Sequence, residues 1–560
     1  MRRTPAQPRP VRDRVPVPHW ASGPGGSDTG RGDGVRESFG RGGRWRSRSQ
    51  CRWRCGWRSG LASRWIRGAV LLLAGALPAL AFPEPSLWWL AYGALVPWIL
   101  LARSAPTGRR AALDGWLGGT GFLLAVHHWL MPSLHVFIVV LAALLGLLWL
   151  PWGWLTYRLL HGRPGPGRAA AALVLLPAAW LLAELVRSWQ YLGGPWGLLG
   201  ASQWQVPPAL RLASVGGVWL LSFLIVLVNV SFALLVAVAG ARRVALAGLT
   251  ACAAVAAGVW SWAPVPRPAG TLRIAVVQPG VINVPGPRFD RSEQLTRRLA
   301  GRHLDLVVWG ESSVGQDLAA RPDLSRRLGA LSRKVGADLL VNVDARRSDR
   351  PGIYKSSVLI GPHGPTNQRY DKMRLVPFGE YIPARSVLGW VTSVGKAAPE
   401  DRRRGTEQVV MRLPDGLRIG PLVCFESAFP DMSRNLARDG AQVLVVQSAT
   451  STFQHSWAPA QHASLAALRS AETWRPMVHA TLSGVSAVFG PRGEPVGGRM
   501  GTDTSAAMVY EVPLARGTSP YVHTGPWIVY GSLGALAGFG AVEGAGALRR
   551  RRGSGSPTRP

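Results

Sequence analysis

Eight apolar runs dominate the chain and limit what it can become. They are Ala69–Phe82, Leu87–Leu101, Ala112–Leu130, His135–Leu155, Ala169–Val186, Val215–Ala239, Val244–Ala263 and Trp527–Leu548. A bilayer core is crossed by roughly 20 apolar residues in a helix. Most of these runs have that length; the first two are shorter, and Pro78 interrupts the first. The pattern predicts a polytopic helical membrane domain of about eight transmembrane helices, seven before a long polar stretch and one after it. It also explains a positive mean hydropathy in a chain with a net charge of +34.

Loop charges set the expected topology. Arginines populate Arg103–Arg110, Arg158–Arg168, Arg242–Arg243 and Arg549–Arg552. The alternate loops Pro83–Ser86 and Met131–Ser133 carry no lysine or arginine, and Arg187–Arg211 carries little for its length. Cytoplasmic loops hold the excess of basic residues. With eight helices every basic loop falls on one side. Both termini are then expected in the cytoplasm, and the stretch between helices seven and eight is expected outside it. The same rule absorbs much of the positive charge, so nucleic acid is not an expected partner.

The expected divisions follow. Residues 1–68 form a basic tail with 16 Arg against 4 acidic residues, too poor in apolar groups to fold. It reads as disordered, or as residues added by an early start codon, with binding to anionic lipid or nucleic acid as the sharper alternative. Residues 69–263 hold helices one to seven, 264–519 a separate domain, 520–548 helix eight and 549–560 a basic tail. His127, His128, Glu184 and Glu543 lie inside apolar runs, where ionisable groups are costly and often mark function. Four cysteines exclude a disulfide scaffold, and none has metal-ligand spacing with histidine.

Within 264–519, short β-branched runs alternate with helical ones. Expected strands are Arg273–Gln278, Leu306–Trp309, Leu339–Val343, Ser357–Ile360, Gly420–Cys424, Val443–Gln447, Met477–Thr481, Ser486–Phe489 and Ala507–Val512. Expected helices are Arg291–Arg302, Asp323–Val335, Pro430–Asp439 and Pro459–Glu472. Such alternation points to an α/β domain.

Three segments in that domain carry chemistry. Val307–Ser312 ends a strand and delivers Glu311. Tyr370–Pro383 places Lys372 and Glu380 around a turn shaped by proline and glycine. Gly420–Ser427 ends a strand at Cys424, with Glu426 two residues later. A thiol has an ordinary pKa near 8.5 and attacks as the thiolate. A carboxylate can take its proton, and a lysine can hold a developing oxyanion. These are the parts needed for acyl transfer. Lysine is rare here: Lys334, Lys355, Lys372 and Lys396 are the only four. A retained lysine hints that a compact ammonium was required.

The three segments resemble the nitrilase superfamily, whose triad is Glu-Lys-Cys. The run Lys372–Pro383 (KMRLVPFGEYIP), the Cys424-Phe425-Glu426 step, the loop Gly194–Gln203 (GPWGLLGASQ) and the seven-plus-one helix plan resemble the bacterial apolipoprotein N-acyltransferases. The likeness covers about residues 69–548. It implies an extracytoplasmic nitrilase-like αββα sandwich in the bacterial plasma membrane. Glu311 is then the general base, Lys372 the oxyanion stabiliser and Cys424 the nucleophile. Glu380 and Glu426 support them, and Phe425 shapes the acyl pocket. The implied partners are a phospholipid acyl donor, a diacylated apolipoprotein acceptor and the bilayer, with no cofactor, no metal and a monomeric enzyme. One segment departs: Ala449–Gln454 keeps only Phe453 of the family's Asn-Asp-x-Trp-Phe-Gly run. Rival readings are a membrane-tethered amidase, a paralogue of low activity, and a transporter or receptor whose triad residues fail to converge.

Overall fold

The computed structural model describes residues 64–383, 385 and 400–553. The reading of residues 1–68 as a tail lies almost entirely outside them. Among the described residues, six helices are long and apolar enough to cross a membrane: Arg64–Ala81, Phe137–Leu160, Pro166–Arg187, Pro207–Ala237, Ala239–Trp262 and Trp527–Arg549. Each overlaps one expected run. The other two runs fold differently. Leu87–Leu101 is divided into a 3-10 turn, Trp88–Tyr92, and a short helix, Val96–Arg103. Pro97 sits in the first turn of that helix, where its missing N–H costs nothing. Ala112–Leu130 lies mostly in the helix Gly108–His127, whose first two turns carry Arg109, Arg110 and Asp114.

Small residues bring these helices together. A Cβ at Gly75 would lie 2.0 Å from the Gly118 carbonyl oxygen, and one at Gly115 would lie 2.3 Å from that of Trp149. Glycine therefore lets the backbones touch, the usual device where lipid removes the hydrophobic drive between helices. Asp114 is fully buried and accepts from both Arg67 and Arg110, at 2.5 and 2.9 Å.

The second part is built on two six-stranded sheets. Its strands are β1 (Arg267–Gln278), β2 (Leu306–Trp309), β3 (Asp338–Arg346), β4 (Ile353–Gly361), β5 (Gly364–Asp371), β6 (Met411–Arg412), β7 (Arg418–Val423), β8 (Val443–Ser448), β9 (Met477–Thr481), β10 (Ser486–Phe489), β11 (Pro495–Met500) and β12 (Ala506–Arg516). The sheet orders are β12-β1-β2-β3-β4-β5 and β11-β10-β9-β8-β7-β6. β1-β2-β3 and β7-β8-β9 are parallel, and the flanking strands are antiparallel. Strands buried on both faces read as continuous apolar runs, which is why Leu306–Trp309 and Val443–Val446 contain no polar residue.

One face of each sheet shares a core with the other, around Ile274, Val308, Ile419 and Val445. The outer face of the first sheet is covered by helices Pro285–Arg297 and Pro322–Val335. Helices Pro430–Arg438 and Ala458–Thr473 cover the second sheet. That layer belongs to the same hydrophobic core as the apolar helices. Every residue of Ala458–Thr473 except Ala460 is buried, so its polar side chains Gln461, His462, Arg469 and Glu472 must find partners inside the protein. Its Glu472 accepts from the backbone N–H of Val218 at 2.7 Å. That N–H has no partner within its own helix because Pro207–Ala237 breaks at Gly217, where φ is 67° and the Tyr521 ring leaves no room for a side chain.

Candidate active site

The C-terminal ends of three strands meet in one buried cluster, where open α/β sheets place their ligands. β2 delivers Glu311. The preceding Gly310 lies against the other sheet: a Cβ there would sit 2.0 Å from the Leu482 nitrogen. The Glu311 N–H donates to the Ser448 carbonyl at the end of β8, at 3.1 Å. Two strand ends from different sheets therefore fix the backbone of Glu311.

Lys372 follows β5. Its N–H donates to the Lys355 carbonyl, and its own carbonyl accepts from Gly405, both at 2.8 Å. Lys372 is 1% exposed, and its ammonium lies 3.1 Å from Glu311 Oε1 and 2.8 Å from Glu380 Oε1. Glu380 is held in turn by the Val376 N–H at 2.8 Å. That tight turn passes through Phe378, whose φ is 62°.

Cys424 closes β7 with φ at 52°, in the left-handed region that costs a side-chain-bearing residue energy. Glu426 holds the bend. Its Oε2 accepts from Val423 N–H at 2.7 Å. Its Oε1 accepts from the Tyr370 hydroxyl, Met373 N–H and Arg374 N–H at 2.7, 2.7 and 3.0 Å. Glu426 thus ties the cysteine bend to the start of the lysine segment. On the far side the Cys424 carbonyl accepts from the Ser427 hydroxyl at 3.1 Å and lies 3.0 Å from His462 Nε2. A carbonyl only accepts, so Nε2 carries the proton, and Nδ1 faces the Ser448 hydroxyl at 3.0 Å. Burial lowers the His462 pKa to about 4, which keeps the ring neutral at pH 7.

The charges of this cluster act on one another. Burial raises the carboxyl of Glu380, but Lys372 and Lys355 outweigh it and hold the pKa at about 2. Glu311 is likewise raised by burial and brought below its ordinary value by Lys355 and Lys372. The Cys424 thiol is pushed up to about 12 by burial and by the negative charge of Glu311. The resting site is therefore a thiol beside an ionised carboxylate and an ammonium, an arrangement that can move one proton and stabilise one oxyanion.

All six residues singled out in the sequence, Glu311, Lys372, Glu380, Cys424, Phe425 and Glu426, come together here. Phe425 stacks edge-on against Phe429, with ring centroids 5.0 Å apart. The loop after helix Pro166–Arg187 presses on this pair: a Cβ at Gly194 would lie 2.5 Å from the Phe425 ring. Gln461 accepts from Trp196 and Trp129 at 2.8 and 3.2 Å, fastening the same loop to the helix behind the site. In the departing segment, Phe453 meets the edge of Trp129 at 4.9 Å, and Thr450 and Ser451 bond to Ser483.

The ionisable residues in the apolar runs have local partners. Glu184 accepts from Trp180 and from Leu199 N–H. His127 and His128 meet carbonyls of the helix Gly108–His127, and Glu543 pairs with Arg158. Sequence reasoning did not single out Lys355 or His462. The scarcity of lysine was the available signal for the first. For His462, inside a helix of small residues, there was none. Among the described residues no group of three or more His, Cys, Asp or Glu is placed to hold a metal ion.

Residues 74–231 match the apolipoprotein N-acyltransferase N-terminal domain, and residues 273–519 match the carbon-nitrogen hydrolase domain. An apolipoprotein N-acyltransferase from Geobacter metallireducens is 30% identical over 506 residues, covering 86% of this chain and 95% of that protein. The chain belongs to the apolipoprotein N-acyltransferase family. Another member, from Azotobacter vinelandii, is 31% identical over 522 residues, covering 87% of this chain and 96% of its own length. A carbon-nitrogen hydrolase superfamily protein from Xanthomonas campestris has a solved structure similar to 44% of this chain and 91% of its own, with 21% identity and a TM-score of 0.35.

Proposed function

We propose that this chain transfers a fatty acyl group from a membrane phospholipid, through a thioester on Cys424, to the N-terminal α-amine of a diacylglyceryl-cysteine in an apolipoprotein. The family carries the substrate assignment. The observation that supports the chemistry is the buried contact of Lys372 with Glu311 and Glu380, at 3.1 and 2.8 Å, beside a strained cysteine bend.

The reaction has two steps. Glu311 takes the Cys424 proton as the sulfur attacks the ester carbonyl, and Lys372 stabilises the oxyanion. The ester C–O bond breaks, and the proton returns from Glu311 to the departing lysophospholipid oxygen. The amine then attacks the thioester and Glu311 takes its proton. The amide forms, the C–S bond breaks and the thiol is restored. Glu380 holds Lys372, Glu426 holds the cysteine bend, and Phe425 lines the acyl pocket. Ping-pong kinetics follow.

An odd number of passes before residue 264 and one after residue 519, with cytoplasmic termini, set the catalytic domain on the outer face of a bacterial plasma membrane, where both lipid-anchored substrates are displayed. The loop arginines support that orientation. The enzyme acts as a monomer.

Intact mass tests the proposal. Incubation of the purified protein with phospholipid alone adds one fatty acyl mass to the wild type, labile to hydroxylamine, and none to Cys424→Ala. A folded protein that takes no acyl group from several phospholipids, yet hydrolyses a simple amide, assigns the site to an amidase instead.

A further inference from the structure

Lys355 sits on β4, directly opposite Asp344 of β3. On its other side the β4–β5 ladder pairs Ser356 with Asp371, and the Lys372 N–H continues it by donating to the Lys355 carbonyl at 2.8 Å. Two lysines are therefore cross-strand neighbours, a placement in which like charges repel. Two carboxylates resolve the repulsion. Glu311 Oε1 lies 2.9 Å from the Lys355 ammonium and 3.1 Å from that of Lys372. Glu380 Oε1 lies 3.0 and 2.8 Å from the same two groups. Each oxygen bridges both ammoniums.

Further charges complete the set. Asp344 Oδ2 is 3.9 Å from Lys355, and Asp344 Oδ1 is 3.3 Å from the Arg402 Nε. The Ser312 hydroxyl donates to Asp344 at 3.1 Å. Arg288 acts on Asp344 from farther away; Lys372 interacts with Glu426 and helps keep His462 neutral, and the Cys424 thiol faces the cluster. Glu311, Glu380 and Asp344 are balanced by Lys355, Lys372 and Arg402. Without Lys355, three carboxylates face two cations.

We infer that Lys355 is a positioning residue of the acyl transfer: its ammonium keeps Glu311 and Glu380 ionised together, so that Glu311 is free of a proton when the thiol needs a base. Two carboxylates that share too little positive charge retain a proton between them. A Glu311 that already holds this proton cannot take one from Cys424. A compact ammonium with three N–H groups suits the place, because it bonds both carboxylates and still faces Asp344. The inference rests on the acyl-transfer reading for its role and on the bridged geometry for its mechanism.

The test compares wild type with Lys355→Met, Lys355→Arg and Asp344→Asn in the full chain. Two rates are followed against pH: alkylation of Cys424 by iodoacetamide, and acyl-thioester formation from phospholipid. The wild-type rates lose their acid limb only below about pH 5. In Lys355→Met that limb moves up by about one to three pH units, a tenfold or greater loss at the pH it crosses. Lys355→Arg keeps the charge and restores the limb. Asp344→Asn removes a neighbouring negative charge and leaves the limb no higher than in the wild type. An unmoved limb in Lys355→Met overturns the inference, as does Lys355→Arg displaced equally far. Should Lys355→Met fail to fold, an upward shift in Asp344→Asn overturns it alone. A wild type that is alkylated but takes no acyl group refutes the acyl-transfer reading, while the alkylation profile still decides the role of Lys355.

Discussion

Replacing Glu426 by glutamine changes one atom and tests how the cysteine bend is held. All four partners of this carboxylate are donors: Val423 N–H on Oε2, and Tyr370, Met373 and Arg374 on Oε1. Glutamine offers one acceptor oxygen, and its nitrogen only donates. The better orientation keeps the three Oε1 bonds and turns the amide nitrogen toward Val423 N–H. That loses one charge-assisted bond and sets donor against donor in a site with no exposure, at a cost of about 3 kcal/mol. The Val423 bond is also the restraint next to Cys424, whose φ of 52° stores about 1–2 kcal/mol. Released, the bend relaxes toward extended backbone, and a displacement of about 1 Å at the sulfur costs about a hundredfold in rate. We expect Glu426→Gln to melt earlier in detergent and to form the acyl thioester about a hundredfold more slowly, with an unchanged KM for phospholipid. Tyr370→Phe removes one of three bonds to the other oxygen and leaves the Val423 restraint in place; it should lose about 1 kcal/mol of stability and little rate. A Glu426→Gln protein that melts and acylates like the wild type refutes the reasoning.

Other outcomes follow from the same geometry. Gly310→Ala puts a Cβ 2.0 Å from the Leu482 nitrogen, where 3.0 Å is the practical minimum, so the sheets must part by about 1 Å at Glu311; we expect a hundredfold slower acylation, and normal kinetics would show that the sheets part freely there. Glu472→Ala removes the acceptor of Val218 N–H and leaves buried Arg469, 3.2 Å away, without its ion pair; a loss of about 3–5 kcal/mol is expected, read as a lower melting temperature. Acid should destabilise the protein in two stages. His462, lowered from 6.5 to about 4, favours the unfolded state as pH falls between those values. Glu380, lowered from 4.5 to about 2, contributes stability that is complete above pH 4.5 and lost as pH falls toward 2. Melting temperatures measured from pH 8 to pH 3 check both, and a profile flat down to pH 5 excludes the histidine stage.

The central strands were legible because burial on both faces demands unbroken apolar runs, and nine of the twelve strands were expected from short β-branched stretches. The three missed lie toward the sheet edges. β5 (GPTNQRYD) alternates polar residues, β6 has two residues and β11 (PVGGRM) is rich in glycine. The helix expected at Arg291–Arg302 begins earlier, at Pro285, since proline fits a first turn. The run Leu87–Leu101 was apolar enough to suggest a span, but Gly93 and Pro97 divide it, and composition alone does not weigh that. In the site, the motif residues stood out by spacing. Lys355 did not, because its partners Glu311 and Glu380 are brought to it only by the closing of the first sheet and the turn after β5.

The break at Gly217 has a consequence for any attempt to cut the protein in two. A fragment limited to residues 264–519 would keep both sheets and every residue of the charged cluster. It would also expose the buried flank of Ala458–Thr473, with Leu465 and Leu468 turned to water. Gln461 would lose the two indole donors of Trp129 and Trp196, and Glu472 would lose Val218. The apolar helices would in turn keep an uncapped half-helix starting at Val218. Each piece completes the other's hydrogen bonds as well as its core, so the severed fragment should be recovered as aggregate, and co-expression of both pieces should restore a soluble, detergent-stable pair.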